Sequence, residues 1–220
     1  MADYISTPSP RNPLLSSGIL SSSSPSSSSV LELGCGISPL LGICLSPHVG
    51  HYILSDQSYV HRLITQNLEA NTATSNTADK SSKSSRSRRA VPAASAVGGG
   101  GGSTSRNISF QPLDWETDAV SSALSPTGDF DLVIACDCVF NYALVKPFIG
   151  ACVDACRLRG EQKTPTVCLV AQQLRSDDVF QVWMAEFHRH FRVWRFPSDI
   201  LPEELRPENG FVIHAGVLRE

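Results

Sequence analysis

The sequence has no long apolar run, no cysteine pair of the C-x-x-C type, and few lysines, four in all. No apolar stretch approaches the ~20 residues that a membrane-spanning helix needs, so we expect no transmembrane helix. The first eleven residues lack the basic start and apolar core of a secretory signal. The composition also excludes collagen, a coiled coil and a fully disordered protein.

Seven cysteines are present, an odd number, and most of them lie in apolar runs. This pattern is typical of reduced, buried thiols in an intracellular protein. A metal or redox role is the less favoured alternative, since C-x-x-C spacing is missing. We therefore expect no metal site.

Serine is concentrated in the first half of the chain, where 26 of the 31 serines precede residue 111. Residues 1–29 and 72–106 are too polar to offset the entropy of ordering, so we predict that both are largely disordered. The predicted domain is 30–220, interrupted by the 72–106 insertion. That insertion carries six basic residues against one acid. We interpret it as a solvated linker, the alternative being a nucleic-acid tether.

Short apolar runs alternate with helical patterns through the rest of the chain. The predicted strands are 30–33, 51–56, 108–110, 131–136, 166–172, 191–196 and 211–218. The predicted helices begin after Ser38-Pro39, at Ser58, at about Ala143 and at Ser176. This order predicts an α/β fold, a Rossmann-like, doubly wound parallel sheet with helices on both faces. The last two strands form a terminal antiparallel pair.

The first strand ends in a glycine turn, and the second strand ends in an acid. Gly34 and Gly36 permit a tight turn and close approach of a ligand, and Asp56 is placed to bind both hydroxyls of a ribose. A third glycine of the dinucleotide fingerprint is missing, and Glu32 would repel a pyrophosphate. The pattern therefore favours S-adenosyl-L-methionine over NAD. A turn that binds nothing is the remaining alternative.

Four motifs, VLELGCG, LSDQ, LDW and DLVIACDCVF, occur in this order. Together they resemble the seven-strand protein-lysine methyltransferases of the methyltransferase-like protein 21 group. With NPLLSSGIL before the glycine motif, the chain looks most similar to the fungal ribosomal lysine N-methyltransferase 5 type. The resemblance covers about 12–71 and 107–220. It implies a monomeric, S-adenosyl-L-methionine-dependent enzyme in the cytoplasm or nucleus that methylates a protein of the large ribosomal subunit. We expect no membrane partner and no direct nucleic-acid binding.

The resemblance also implies roles for individual residues. The methionine part of the cofactor would lie against Gly34, Cys35 and Gly36, with Glu32 nearby. Its adenosine part would contact Asp56, Gln57, Asp114 and Trp115, and the backbone of Cys136 would touch the cofactor. Asp137 and Phe140 fall on the DxxY motif at the substrate entrance. Each has a simpler alternative: Trp115 as an ordinary buried aromatic, Asp114 as a turn residue, and Asp137 as a helix cap.

Three departures from the group accompany the resemblance. Phe140 replaces the tyrosine of DxxY, and the 72–106 insertion is additional. No tryptophan-containing segment precedes Val30, which suggests a truncated form or an incomplete gene model. The first and last departures leave a non-catalytic binding protein of the same fold as the alternative function. An NAD-dependent oxidoreductase is less favoured because of Glu32.

Overall fold

The computed structural model describes residues 1–7, 12, 14, 19, 28–78, 107–161 and 163–220. Its centre is a seven-stranded sheet. The strands are β1 Ser29–Leu33, β2 His51–Asp56, β3 Ile108–Pro112, β4 Leu132–Cys136, β5 Val167–Gln173, β6 Phe191–Arg195 and β7 Phe211–Leu218. The helices are α1 Ala2–Ser6, α2 Leu40–Leu45, α3 His61–Ala78, α4 Tyr142–Arg157 and α5 Asp177–His190.

The strand order across the sheet is β3-β2-β1-β4-β5-β7-β6, and β7 is antiparallel to both of its neighbours. The other pairings are parallel. The order reverses at β1, where the chain passes from the β1–β2–β3 half of the sheet to the β4–β5 half. Ligands of open α/β sheets bind at such a reversal, beyond the carboxyl ends of the strands. The predicted doubly wound sheet with its terminal antiparallel pair is confirmed.

Successive residues of the central strands point to opposite faces of the sheet and so belong to two apolar layers. Leu31, Val133 and Val170 face α4 and α5, where Phe148 and Trp183 are buried. On the other face, Val30, Leu54 and Ile134 belong to a second apolar cluster. That cluster also contains Ile5 of α1, Leu41 of α2 and Ile64 of α3. Apolar residues on both faces explain why these strands lack a polar-apolar alternation in sequence.

The N-terminal segment contributes an element that the sequence did not predict. Although 1–29 was expected to be largely disordered, residues 2–6 form α1, and Ile5 is fully buried. The Asn12 side chain donates to the carbonyl oxygen of Ile5 at 2.8 Å, and Leu14 joins the same core. Most of the remainder of 1–29 lies outside the described residues.

Local differences from the expected elements concern helix ends. The backbone of Pro39 caps α2, and the Ser38 side chain does not. Ser58 opens a short 3-10 turn, Ser58–Val60, and α3 starts only at His61. Leu63 in the first turn of α3 is exposed, although the apolar spacing of Val60, Leu63, Ile64 and Leu68 in the sequence predicts one buried face. The helix runs to Ala78, so the first part of 72–106 is helical, and residues 79–106 lie outside the described residues.

All seven cysteines carry free thiols, four of them buried. Within the described ranges, no group of three or more His, Cys, Asp or Glu side chains is placed to hold a metal ion. None of the helices in the described part of the chain has the length and apolarity needed to span a bilayer.

Candidate active site

A cavity of about 400 Å³ opens at the carboxyl ends of β1, β2 and β4. This volume lies within the usual range of small-molecule sites. Of the residues that the structure describes, fourteen line it: Gly34, Gly36, Asp56, Gln57, Tyr59, Leu113, Asp114, Trp115, Glu116, Asp137, Cys138, Phe140, Asn141 and Leu144. Four of them are acids and none is Lys, Arg or His. The cavity is therefore suited to a ligand that carries positive charge.

The glycine turn after β1 forms one wall of the cavity. Gly34 and Gly36 both have left-handed backbones, with φ of +69° and +60°. The backbone N–H groups of Gly34 and Cys35 both donate to the Ser55 carbonyl oxygen, which ties the turn to the end of β2. A Cβ on Gly34 would lie 2.7 Å from the Cys138 Cβ, whereas one on Gly36 would meet nothing within 4 Å. Glycine is thus required at position 34 by packing as well as by conformation.

Asp56 joins the glycine turn to the loop after β2. One carboxylate oxygen accepts the Gly36 N–H at 2.8 Å, and the other accepts the Gln57 N–H at 2.7 Å. Its backbone oxygen accepts the Leu113 N–H at 2.8 Å, which brings the loop after β3 to the same edge. Each carboxylate oxygen retains a further lone pair for a ligand in the cavity. Asp56 therefore both shapes the cavity and presents an acceptor to it.

Glu32 lies beneath this wall, not in it. Its carboxylate is 4% exposed and accepts a hydrogen bond from the Tyr52 hydroxyl at 2.7 Å. Burial raises the pKa of the Glu32 carboxyl to about 7; the Tyr52 hydrogen bond opposes this, and the charge of Asp56 adds to it. Ionising a carboxyl group that is buried this deeply is costly. Glu32 therefore changes charge near neutral pH in the folded protein.

We expect the Glu32→Gln substitution to stabilise the protein more at pH 8 than at pH 5. The pKa of Glu32 is higher in the folded protein than in the unfolded chain. Between pH about 4.5 and about 7 the folded protein therefore keeps a proton on Glu32 that the unfolded chain has released. The free energy of unfolding consequently falls as the pH rises through this range. The increase in the free energy of unfolding caused by Glu32→Gln should be about 2 kcal/mol larger at pH 8 than at pH 5. Urea unfolding of both proteins at both pH values measures this.

The control for this measurement is Glu208→Gln, because Glu208 is exposed in the loop before β7. Groups that titrate in both proteins cancel in the comparison, including His214, whose pKa burial lowers to about 4. A gain in Glu32→Gln that is the same at both pH values would show that Glu32 keeps an ordinary pKa.

Asp114 and Trp115 lie in the loop after β3. The Asp114 carboxylate accepts the Glu116 N–H at 3.0 Å and contacts the Gln57 side-chain amide at 3.5 Å. Trp115 packs edge-on against Phe148, with ring centroids 5.3 Å apart. Its indole N–H is buried and has no hydrogen-bond partner among the described residues. A buried, unpaired donor in the wall of a cavity is suited to bind an oxygen of a ligand.

Asp137 and Phe140 lie in the turn between β4 and α4. Asp137 has a φ of +55°, unusual for a residue with a side chain, and its N–H donates to the Ala171 carbonyl oxygen at 2.8 Å. Its carboxylate forms an ion pair with Arg175. Phe140 is 66% exposed at the cavity mouth. The cap of α4 is Asn141, which accepts the Leu144 N–H at 3.1 Å, so Asp137 does not cap that helix.

The structure brings most of the predicted site residues together. Eight of the eleven line the cavity: Gly34, Gly36, Asp56, Gln57, Asp114, Trp115, Asp137 and Phe140. Glu32, Cys35 and Cys136 do not line it. Burial raises the pKa of the Cys136 thiol to about 12 and that of the Cys35 thiol still further, so both stay protonated.

Six lining residues had no predicted role as ligand contacts: Tyr59, Leu113, Glu116, Cys138, Asn141 and Leu144. Asn141 was identifiable, because an Asn before an apolar helical pattern is a good helix cap. No sequence pattern identifies Tyr59 as a lining residue, because the short 3-10 turn after β2 determines its position.

Solved structures share this architecture. The methyltransferase domain of bacterial CtHen1-CN is 13% identical and aligns with a TM-score of 0.52 over 88% of this chain and 91% of that one. An O-methyltransferase family protein from Burkholderia thailandensis is 10% identical, also with a TM-score of 0.52, over 100% of this chain and 55% of that one. The chain has the class I methyltransferase fold. At these identities the likeness concerns the fold alone.

Sequence comparison links part of this methyltransferase fold to lysine methyltransferases. The lysine methyltransferase family model matches residues 95–186, less than half of the chain. Ribosomal lysine N-methyltransferase 5 of Candida glabrata is 26% identical over 74% of this chain and 49% of its own length. The protein of that name from Eremothecium gossypii is 29% identical over 70% of this chain and 47% of its own. The resemblance to these fungal enzymes is therefore a distant similarity.

A relative with a different name also matches. Diaminohydroxyphosphoribosylamino-pyrimidine deaminase of Schizosaccharomyces pombe is 28% identical over 75% of this chain, but the match covers only 32% of that protein. The C-x-x-C pair of the zinc deaminase signature does not occur in this sequence. Overall, the chain spans about a third to a half of the length of these curated relatives.

Proposed function

We propose that this protein is an S-adenosyl-L-methionine-dependent protein-lysine N-methyltransferase that acts on a protein of the large ribosomal subunit. The observation that carries the proposal is the acidic cavity at the strand-order reversal, formed by the glycine turn after β1 and by Asp56 at the end of β2. The distant similarity to ribosomal lysine methyltransferases supports the substrate class.

The charge of the cavity favours this cofactor over a dinucleotide. Four acids line it and, among the described residues, no Lys, Arg or His does. Arg175 pairs with one of the four, Asp137, from outside the lining, so three acids keep their charge without an ion-pair partner in the described part of the chain. A pyrophosphate would be repelled by this field, whereas a sulfonium with an α-amino group would be attracted. The glycine turn leaves room for close approach of a ligand at Gly36. The Trp115 indole N–H supplies a donor that none of the described residues uses. The residues present therefore fit S-adenosyl-L-methionine.

We assign the cofactor contacts by position. The Gly34–Gly36 turn would hold the methionine part, and Asp56 the ribose. Gln57, Asp114 and Trp115 would surround the adenine. Glu32 lies under the turn, and we propose that it acts on the cofactor only indirectly, through the charge it adds below Gly36.

Bound here, the cofactor would supply an already activated methyl group on a positively charged sulfur. The protein has to align the acceptor amine with the methyl carbon and keep water away. The acceptor amine would have to reach this methyl group as the free base, with its proton passed to solvent at the cavity mouth beforehand, because the ordinary pKa of lysine is ~10.4. The Asp137 carboxylate and the exposed ring of Phe140 lie at the mouth, where an acceptor amine would enter.

The alternative function is a non-catalytic binding protein of the same fold. It is favoured by Phe140, which lacks the hydroxyl of the tyrosine in the DxxY motif. The two functions differ in turnover, since both predict that the cofactor binds.

The test is methyl transfer from labelled S-adenosyl-L-methionine to isolated large ribosomal subunits, with the modified residue located by mass spectrometry. Label on a lysine of a single ribosomal protein supports the proposal. Cofactor binding without transfer to any ribosomal protein or cell extract would favour the alternative.

We expect Phe140→Ala to reduce kcat/KM about 5- to 30-fold, with little change in cofactor affinity. The ring is two-thirds exposed at the mouth, so its loss removes apolar contact with the lysine side chain, a change of one to two kcal/mol in magnitude. Phe140→Tyr is the matched control and should retain activity. Equal kcat/KM in Phe140→Ala and the parent protein would remove Phe140 from the acceptor site.

A further inference from the structure

A second, smaller cavity of about 80 Å³ lies behind the turn between β4 and α4. Its walls come from that turn, from the end of β5 and from the start of α5. Its lining includes Asp137, Phe140, Gln172, Gln173, Arg175 and Phe180. Asp137 and Phe140 also line the first cavity, so the two cavities meet at these residues. A group in the second cavity can therefore point toward the first.

Gln172 contributes an unused hydrogen-bond acceptor. Gln172 is 6% exposed, and its amide oxygen is buried with no hydrogen-bond partner in the described part of the chain. An unpaired buried polar atom costs about 1–3 kcal/mol, so a ligand that donates to it gains that much. The terminal torsion of a glutamine is soft, which lets the oxygen turn toward a group in the cavity.

The other walls suit a positively charged group on an alkyl stem. Asp137 supplies a carboxylate, and Phe140 and Phe180 supply aromatic surface for the stem and for cation–π contact. The start of α5 would oppose a cation, because helix N-termini are electropositive. Asp177 and Asp178 in its first turn offset that charge.

Arg175 holds the position that such a cation would take. Its guanidinium pairs with the Asp137 carboxylate, and its Nε donates to the Gln173 side-chain oxygen at 2.9 Å. The Arg175 side chain is 59% exposed, so the pair is weak. Asp137 does not depend on Arg175 for its orientation, because its N–H is bound to Ala171 and its carboxylate also accepts the Gln173 N–H at 3.3 Å.

We propose that the second cavity is a binding site for an alkylammonium group, with Gln172 and Asp137 as its acceptors, and that Arg175 occupies the cation position until the ligand displaces it. Resting on the proposed function, the ligand is the side chain of the target lysine. Gln172 and Arg175 are then residues that determine affinity for the acceptor, and neither lines the cofactor cavity.

The test uses the full chain and the probe n-butylammonium, with n-butanol as the neutral probe of similar shape. Binding is followed by NMR through the backbone amide of Gln173 and the side-chain amide of Gln172, which the Gln172→Leu variant assigns. We expect saturable shifts with butylammonium only. Equal shifts with butanol would overturn the proposal.

Two variants separate the role of Arg175 as a competing cation from that of Gln172 as an acceptor. Arg175→Gln should lower the dissociation constant of butylammonium about two- to fivefold, because a weak internal competitor is lost. Gln172→Leu should raise it at least about tenfold without lowering Tm, because the variant removes an unpaired polar group. Weaker binding in Arg175→Gln, or unchanged binding in Gln172→Leu, would contradict the proposal.

S-adenosylhomocysteine affinity should stay within about twofold of the parent in both variants, since a twofold change is well under 1 kcal/mol. This readout reports on the first cavity alone. Failure of the parent chain to bind S-adenosylhomocysteine would overturn the proposed function, and the butylammonium result would still decide the alkylammonium site.

Discussion

Asp56→Ala is expected to weaken S-adenosylhomocysteine binding at least about 100-fold. The substitution removes the carboxylate proposed to bind the ribose. It also removes the acceptors of the Gly36 and Gln57 N–H groups, which lie 2.8 and 2.7 Å away. Hydrogen bonds to a charged group contribute about 1.5–3 kcal/mol each. Losing the contacts with the ribose together with the bonds that hold the glycine turn in place therefore accounts for the expected loss of affinity.

Isothermal titration of the variant measures the effect, and Asp199→Ala is the matched control. Asp199 is an exposed carboxylate in the loop between β6 and β7 that does not line the cavity. The control corrects for the loss of one negative charge from the protein as a whole. Affinity for S-adenosylhomocysteine in Asp56→Ala equal to that of Asp199→Ala would remove Asp56 from the site.

Gly34→Ala is expected to destabilise the protein by about 2–5 kcal/mol and to abolish cofactor binding. A left-handed backbone costs about 1–2 kcal/mol with a Cβ present, and Gly34 has a φ of +69°. Overpacking adds about 1–3 kcal/mol, because the new Cβ would lie 2.7 Å from the Cys138 Cβ and 3.1 Å from the Trp115 ring. Both neighbours line the cavity, so their displacement distorts the wall.

Gly128→Ala separates the cost of the left-handed backbone from the cost of overpacking. Gly128 also has a left-handed backbone, with a φ of +83°, but a Cβ there would meet nothing within 4 Å. It should therefore show only the conformational cost, with cofactor affinity unchanged. Chemical denaturation and titration of both variants decide this. Equal losses of stability would mean that Gly34 is not constrained by Cys138 and Trp115.

The fold was predictable because its strands are buried on both faces. Leu31, Val133 and Leu169 belong to apolar runs that only a covered sheet accommodates, and the helices between them follow a helical period. The positions of Gly34 and Asp56 at one edge followed from the same topology, since the carboxyl ends of parallel strands meet there. Residues carried by the resemblance alone, such as Trp115, also lie at this edge.

Other features depended on contacts between distant parts of the chain. The burial of Ile5 in α1 is created by partners such as Leu41 and Leu201, which no local pattern relates to the N-terminus. Glu32 was expected beside the cofactor, but its carboxylate is held below the glycine turn by Tyr52, 20 residues away. The ion pair of Asp137 with Arg175 likewise joins two loops that are 38 residues apart.

The proposed function requires that the acidic cavity binds S-adenosyl-L-methionine. Isothermal titration of the full chain with S-adenosyl-L-methionine, S-adenosylhomocysteine and NAD in parallel measures this. We predict dissociation constants in the micromolar range for the first two ligands and no measurable binding of NAD. No heat from S-adenosyl-L-methionine with a folded sample, or tighter binding of NAD, would contradict the claim.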